Sequence, residues 1–405
     1  MRALLPVVLV LGGCWSWSFP EELLQPDGPV PDQIRMDASV DATLDARSDL
    51  LLDGSLEAAV DLTVDASPCS TTCSDTTPVC DATTGACRAC REHTECVGGL
   101  CALDGRCPVT AKIGYVKQNR NCPGSGTKTD PYCSLKDANA GSYAYLWVEG
   151  TISEDVTLDT AKEYHGVSGA TLQPSACDKL ILDKVAVGLE GFTILGNVKV
   201  QGGASATLSH NTIGPSGCIG VTAAGAFVTL LRNLIAGHTG GGVFVDGDYA
   251  IQNNIIVKNG ATDLTWGGVK LKPANVATPV FINNTVSRNT SKASNDKEGG
   301  GVRCEVASTP LVNSILWDNT ASTNGQLSPN CTPTYCDVQG LAPSPDCITD
   351  DPTFVGGSDE FSASYYHVQS GSKVKDVGTP TGAPAVDFDN QLRSDGKPDI
   401  GADEL

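Results

Sequence analysis

The chain has 405 residues, of which 40% are hydrophobic, and this is enough material for a large buried core. Aromatic residues make up only 5% and glycine occurs 44 times, which argues against a helical globule and favours turn-rich β structure. The net charge of −20 and the lack of a basic stripe argue against a nucleic-acid partner, because phosphate backbones attract clustered lysine and arginine.

The N-terminus and the 17 cysteines predict export to an oxidising compartment. Arg2 precedes an apolar run, Ala3 to Leu11, that is too short to cross a bilayer permanently, which is typical of a signal peptide. The stretch LGGC ending at Cys14 resembles the lipobox of bacterial lipoproteins, in which the cysteine is lipidated. The resemblance implies a signal peptide at 1–13 and an outer-membrane lipoprotein facing the periplasm or the cell surface; an ordinary secretory signal is the alternative.

Residues 14–68 predict a disordered acidic linker. Acidic residues recur at every fourth position from Asp37 to Asp65. A helix would stack these like charges at i and i+4, at a cost of roughly a few tenths of a kcal/mol per pair. A solvated spacer is therefore favoured over a helix, and also over a calcium site, because nothing folds the carboxylates into a cage of oxygens.

Residues 69–108 predict a small cysteine-rich module. Eight cysteines lie between Cys69 and Cys107 among very few aliphatic residues, so disulfides rather than a hydrophobic core must stabilise it. Zinc is the alternative because Cys87 and Cys90 form one C-x-x-C, but no second such pair follows. The segment resembles the modules that precede larger domains in secreted lipoproteins of myxobacteria and their relatives.

A repeat dominates the region after residue 113. An asparagine followed two positions later by an aliphatic residue recurs at Asn211, Asn233, Asn254, Asn284 and Asn313. A glycine followed by valine recurs between them, at Gly220, Gly242, Gly268 and Gly301. This pattern predicts short strands that stack coil upon coil, with aliphatic residues inside and asparagine side chains bonded into a ladder at each turn.

The same repeat extends towards the N-terminus. Phe192-Thr193-Ile194 takes the place of the asparagine motif one coil earlier. We expect roughly seven or eight coils between Tyr145 and Asn319. A helical turn at Leu135 to Asn139 is expected to cap the open first coil.

The coil pattern and two flanking motifs resemble the bacterial right-handed parallel β-helix repeat proteins of the pectate-lyase-like superfold. The opening is YVKQNRNCPGSGTKTDPYCSL, and the ending contains DPTF at Asp351 and DIGADE at Asp399. The resemblance implies an all-β fold with a right-handed parallel β-helix at 113–335 and an aspartate-rich tail or cap at 336–405. The separations of the remaining cysteines suit local disulfides Cys122–Cys133 and Cys336–Cys347, and Cys177–Cys218 and Cys304–Cys331 would tie coils or loops together.

The motifs of the superfold's hydrolases are missing, but residues suited to a calcium-dependent lyase are present. A lyase needs carboxylates for calcium and a basic residue that removes a proton. Asp246 and Asp248 are the candidate ligands, and Lys270 and Arg303 are the candidate bases. The alternative is that all four are turn and surface residues.

The tail contains a second candidate calcium site. Its candidate oxygen donors are Asp387, Asp389, Asp395 and Asp399, together with Asp403 and Glu404. The alternative is a charged cap over the last coil.

The sequence favours an anchored monomer with a binding or structural role, with extracellular polysaccharide as a candidate partner and Ca²⁺ as the only candidate cofactor. A polysaccharide lyase and a cell-surface adhesin are the alternatives.

Overall fold

The computed structural model describes residues 73–405 except 82, 119–121, 262, 275–278, 293–298, 324, 343 and 394–395. All of them belong to one unit of the chain, residues 63–405. The predicted signal peptide, lipidated Cys14, acidic linker and Asp395 lie outside the described residues. No helix in the described part is long and apolar enough to span a membrane.

The cysteine-rich module is held by disulfides, as predicted. Its strands β1 (Val79–Cys80) and β2 (Cys87–Arg88) pair antiparallel. Short 3-10 helices follow at His93–Glu95 and Thr110–Lys112. The bridges are Cys73–Cys87, Cys90–Cys101 and Cys96–Cys107, and Cys80 is also disulfide-bonded. Because Cys87 and Cys90 are both oxidised, the C-x-x-C does not hold zinc.

The strands between Ile113 and Val338 form a parallel β-helix whose coils contribute to three columns. The first column contains β5 (Val156–Leu158), β7 (Leu180–Asp183), β10 (Val198–Gln201), β13 (Val221–Ala224), β16 (Val243–Asp246), β19 (Val269–Lys272) and β22 (Val302–Cys304). The second contains β3 (Ile113–Lys117), β4 (Tyr145–Ile152), β6 (Lys162–Leu172), β8 (Ala186–Glu190), β11 (Ser205–Ser209), β14 (Phe227–Leu231), β17 (Tyr249–Gln252), β20 (Val280–Ile282), β23 (Thr309–Val312) and β25 (Cys331–Thr334). The third contains β9 (Thr193–Ile194), β12 (Thr212–Ile213), β15 (Leu234–Ala236), β18 (Ile255–Val257), β21 (Thr285–Ser287), β24 (Ile315–Trp317) and β26 (Asp337–Val338).

The glycine–valine landmark marks the start of first-column strands. Val221, Val243, Val269 and Val302 pair in register and are fully buried, so each valine lies above the next inside the helix. A side chain on Gly242 would collide with the main-chain oxygen of Gly268 in the neighbouring coil. The landmark therefore combines an inward aliphatic residue with a close approach between coils.

The asparagine ladder forms between the second and third columns. Asn211 Nδ2 donates to Asn233 Oδ1, and Asn233 Nδ2 donates to Asn254 Oδ1. Asn254 Nδ2 donates in the same way to Asn284 Oδ1, and each of the three bonds is 3.0 Å long. The prediction was wrong at the last position of the ladder, which it assigned to Asn313. Ser314 occupies this position instead, because its Oγ accepts the Asn284 N–H. Asn313 precedes the ladder position and adopts the left-handed conformation. Phe192 takes the ladder position one coil before Asn211, as predicted, since its N–H donates to Asn211 Oδ1.

A second ladder, which was not predicted from the sequence, follows the third column. Asn259 Nδ2 donates to Asn289 Oδ1 at 3.1 Å, and Asn289 Nδ2 donates to Asn319 Oδ1 at 2.9 Å. His238 extends this ladder, because its N–H donates to Asn259 Oδ1. Each asparagine stands five residues after a member of the first ladder, and this spacing was the available signal.

Three predicted disulfides form and one does not. Cys122–Cys133, Cys177–Cys218 and Cys304–Cys331 are bonded. Cys336 and Cys347 are free, buried thiols, so the predicted bridge between them is absent. Cys336 instead takes the ladder position below Ser314, where its sulfur accepts the Ser314 N–H and lies 3.3 Å from the Leu311 carbonyl oxygen.

Helix α1 (Leu135–Ala140) confirms the predicted helical turn. Ser134 caps it by accepting the Asp137 N–H, and Leu135 and Ala138 are buried against β3 and β5.

The tail after residue 338 packs along the outer side of the third column. It contains a 3-10 helix, Ala363–Tyr366, whose Tyr366 is buried against Leu234 and Val257. Val368 and Ile400 cover Ile315 in the same way. From β15 to β21 the third column is thus buried on both faces, which explains uninterrupted aliphatic strands such as Ile255–Val257.

Candidate functional site

Strand alternation aligns a strip of side chains on the outer face of the first column, which we call the outer strip. Neighbouring strands pair in register at Lys199, Thr222, Phe244, Lys270 and Arg303. All five side chains are half-buried, whereas the residues on either side of each point into the core. The outer strip therefore places three basic groups and one aromatic ring on adjacent coils.

Glu305 connects the two basic residues that were predicted to be catalytic. Lys270 Nζ lies 3.2 Å and Arg303 Nη2 lies 2.9 Å from the same Glu305 oxygen. Arg303 Nη1 also donates to Thr265 Oγ1 at 2.9 Å. The structure thus brings Lys270 and Arg303 together and holds both as oriented, ion-paired cations.

Phe244 supplies an aromatic surface beside these cations. Lys270 Nζ lies 5.1 Å from the centre of its ring, which is a cation–π contact. The ring of Trp266 lies 6.4 Å away and packs over Gly241. Cations beside an aromatic ring form a surface that can bind both the charged and the flat apolar parts of a ligand.

The carboxylates predicted to bind calcium for a lyase do not converge on these bases. Asp246 pairs with Lys272 at 2.8 Å, its neighbour on β19. Asp248 lies in the turn before β17, and its carbonyl oxygen accepts the Val228 N–H. Neither aspartate belongs to the groups of converging metal-ligand side chains found among the described residues.

Two of the tail aspartates hold the main chain. Asp387 accepts the N–H groups of Asp389, Gln391 and Glu404, at 2.7 to 3.0 Å. Asp399 accepts those of Asp376 and Leu405. Burial raises the pKa of both carboxyls. These contacts fold the tail.

Asp389 differs from Asp387 and Asp399, because it lies beside His367 and Asp403. Asp403 was among the tail's candidate oxygen donors, whereas His367 was not selected from the sequence.

A buried histidine joins the cysteine-rich module to the β-helix. His165 is fully buried between Glu190, 2.8 Å from Nδ1, and Glu163, 3.2 Å from Nε2. Burial alone would lower the pKa of His165, but the two carboxylates outweigh it and raise the pKa. Glu163 also accepts the Leu103 N–H, and the His93 ring lies 5.4 Å from that of His165. The sequence could not reveal this cluster because its members come from the module and two different coils.

The comparisons with known proteins bear only on the fold. No family model and no curated protein matches the chain. Among solved structures, the chain is similar to a crystal structure of pectate lyase Pel9A, with 14% identity and a TM-score of 0.37, covering 72% of this chain and 96% of that one. The chain is a parallel β-helix. That assignment follows from its own strand pairing.

Proposed function

We propose that the chain binds acidic extracellular polysaccharide through the outer strip. The observation that carries the proposal is the alignment of Lys270 and Arg303 beside Phe244, in a chain whose net charge is −20. Arginine and lysine bind uronate carboxylates, and an aromatic ring packs against the apolar face of a sugar. Because coils repeat at about 4.8 Å, Phe244, Lys270 and Arg303 stand at that spacing on adjacent coils, which suits a polymer that lies along the strip.

The contacts favour binding over lyase chemistry. A basic residue that removes a substrate proton must be free to accept it, whereas Lys270 and Arg303 are both ion-paired with Glu305. A calcium-dependent lyase also needs converging carboxylates, and Asp246 is ion-paired with Lys272. The same ion pairs are compatible with binding, because a polymer carboxylate can join or replace Glu305 as the partner of the two cations.

The proposal also includes display of the chain at the outer membrane. A lipid on Cys14 would anchor the chain in the outer membrane, and the acidic segment up to residue 68 would act as a spacer. Mutual repulsion of its carboxylates would extend the spacer and hold the β-helix away from the lipid. An adhesin would differ from this polysaccharide-binding protein only in its partner, which would be the surface of another cell.

Affinity electrophoresis through gels that contain polygalacturonate or a neutral galactan tests the proposal. We expect the acidic polymer alone to retard the protein, and added salt to reverse the effect because the contacts are ionic. Equal retardation by the neutral polymer, or none by any acidic polymer, would contradict the proposal. Unsaturated product formed from polygalacturonate with Ca²⁺ would instead establish the lyase.

A further inference from the structure

We propose that His367, Asp389 and Asp403 bind a divalent transition-metal ion, with Zn²⁺ and Mn²⁺ as the best-fitting ions. Each residue offers one ligand atom, and the three atoms all lie within 4.8 Å of one another. The site lies in the tail and does not rest on the proposed polysaccharide binding. Of the tail residues predicted to bind calcium, it uses Asp389 and Asp403.

The contact between His367 and Asp389 has the geometry of two neighbouring ligands. His367 Nε2 lies 2.9 Å from Asp389 Oδ2, yet this buried nitrogen has no hydrogen-bond partner in the described part of the chain. A donor and an acceptor at this distance normally point at each other. Two ligands that share an ion point at the ion instead, and at metal distances of about 2.0–2.2 Å they lie about 3.0–3.4 Å apart, depending on the angle at the metal.

Asp403 supplies the third ligand from a rigid position. Its side chain is buried, with 4% of the residue exposed, and its Oδ2 accepts the Val368 N–H at 2.8 Å. Val368 follows His367 directly, so one hydrogen bond fixes the two ligands relative to each other.

The main chain also positions Asp389. Its N–H donates to the fully buried Asp387 at 2.9 Å, which fixes the turn that carries the ligand. Asp389 lines a cavity of about 520 Å³, together with His210 and Arg232. Water in this cavity can complete the coordination of an ion bound at its wall.

The ligand types select the class of ion. One imidazole nitrogen with two carboxylates suits Zn²⁺ or Mn²⁺, because histidine is a common ligand of transition metals. Ca²⁺ requires six to eight oxygen ligands and has little affinity for imidazole, so this set of three does not suit it. We therefore expect selectivity against calcium.

Titration of the chelator-treated full chain tests the site. Zn²⁺ is followed by calorimetry, and Co²⁺, as a spectroscopic substitute, by its visible absorption. We expect one equivalent to bind and excess Ca²⁺ not to displace it. His367→Ala and Asp389→Asn should each weaken binding at least about 100-fold, since loss of an outer-shell contact alone typically costs 10–100-fold. Asp359→Asn, at another acidic residue that lines the same cavity, is the matched control and should bind normally.

Two results would overturn the proposal. One is the absence of stoichiometric binding to the wild-type chain. The other is binding that both variants retain, which would place the ion elsewhere, for example at His93, His165 and Glu190. Circular dichroism of the metal-free proteins checks folding, and if His367→Ala does not fold, the substitution at the partly exposed Asp389 decides the question.

Discussion

Asn254 illustrates how a single side chain connects three coils. Its Nδ2 donates to the Leu230 carbonyl oxygen at 2.8 Å and to Asn284 Oδ1 at 3.0 Å. Its Oδ1 accepts the N–H and the Nδ2 of Asn233. The amide is fully buried, so no water can replace these bonds. The asparagine repeat is therefore architectural, because each rung satisfies polar groups that the turn would otherwise leave unpaired.

We expect Asn254→Ala to lower the free energy of unfolding by about 3 kcal/mol, because buried donors and acceptors lose their partners. Urea denaturation measures the change. Gln201→Ala, at a half-buried position on β10, is the control and should change stability by less than about 0.5 kcal/mol. Equal stability of the two variants would show that the ladder does not stabilise the fold.

Asp337 is a buried carboxyl without a hydrogen-bond partner in the described structure. Burial, assisted by the charges of Asp350 and Asp351, raises its pKa from 3.8 to about 8. The folded chain therefore binds a proton between about pH 4 and pH 8 that the unfolded chain releases, and stability must fall as the pH rises through this window.

Asp337→Asn keeps the shape of the protonated carboxyl and removes this pH dependence. We expect the variant to exceed the wild type in stability by a margin that grows with pH, on the order of 3 kcal/mol at pH 7. Urea unfolding between pH 5 and pH 8 measures the margin, with exposed Asp359→Asn as the control. A margin that stays constant across this range would contradict the assigned protonation.

At the scale of the element, the repeat made the strands predictable wherever one local rule determines them. Each glycine–valine landmark correctly marked the start of a first-column strand. It did so because the glycine allows close contact between coils and the valine next to it packs into the core. The asparagine rule placed its last member at Asn313 rather than Ser314, since asparagine is favoured both in the ladder and in the left-handed conformation before it.

The rest of the candidate sites could not be predicted, because long-range packing assembles them. His165 meets His93 only when the module docks on the helix. His367 meets Asp403 only when the tail folds back on itself. Lys270 and Arg303 were correctly predicted to lie on neighbouring coils. Glu305 was not predicted to contact them, and its ion pairs with both cations favour binding over proton removal.

The glycine of the glycine–valine landmark offers a test at this scale. We expect Gly242→Ala to destabilise the protein by about 2–3 kcal/mol, because the added methyl group would collide with the Gly268 carbonyl and the Asn259 amide of the second ladder. Gly217→Ala is the control, since an added methyl group meets nothing within 4 Å there. Thermal or urea unfolding of both variants gives the comparison, and similar curves would disprove the close-approach explanation.

At the scale of the whole molecule, the β-helix is covered on one side and open on another. The tail buries the outer face of the third column through Tyr366, Val368 and Ile400. The first column keeps half-buried polar, aromatic and basic side chains such as Thr222, Phe244 and Lys270 on its outer face. This asymmetry leaves the outer strip as a long surface built from successive coils, which matches the proposed polymer partner.

The proposed anchor makes a prediction for the intact chain in a bacterial host. Cys14→Ala should move the protein from the membrane fraction to the soluble fraction, because the substitution removes the only residue proposed to carry lipid. Fractionation and detergent phase partitioning measure the shift. Cys336→Ala, which removes a buried thiol, is the control and should stay with the membrane. Retention of the Cys14 variant in the membrane would contradict the lipid anchor.

The most direct test of the central claim compares Lys270→Gln with Lys258→Gln for binding to polygalacturonate. Both lysines pair with a glutamate and lie near a phenylalanine ring, but only Lys270 belongs to the outer strip. We predict that Lys270→Gln weakens binding at least about tenfold, corresponding to about 1.4 kcal/mol, while Lys258→Gln binds like the wild type. Unchanged binding of Lys270→Gln, or an equal loss in both variants, would contradict the account.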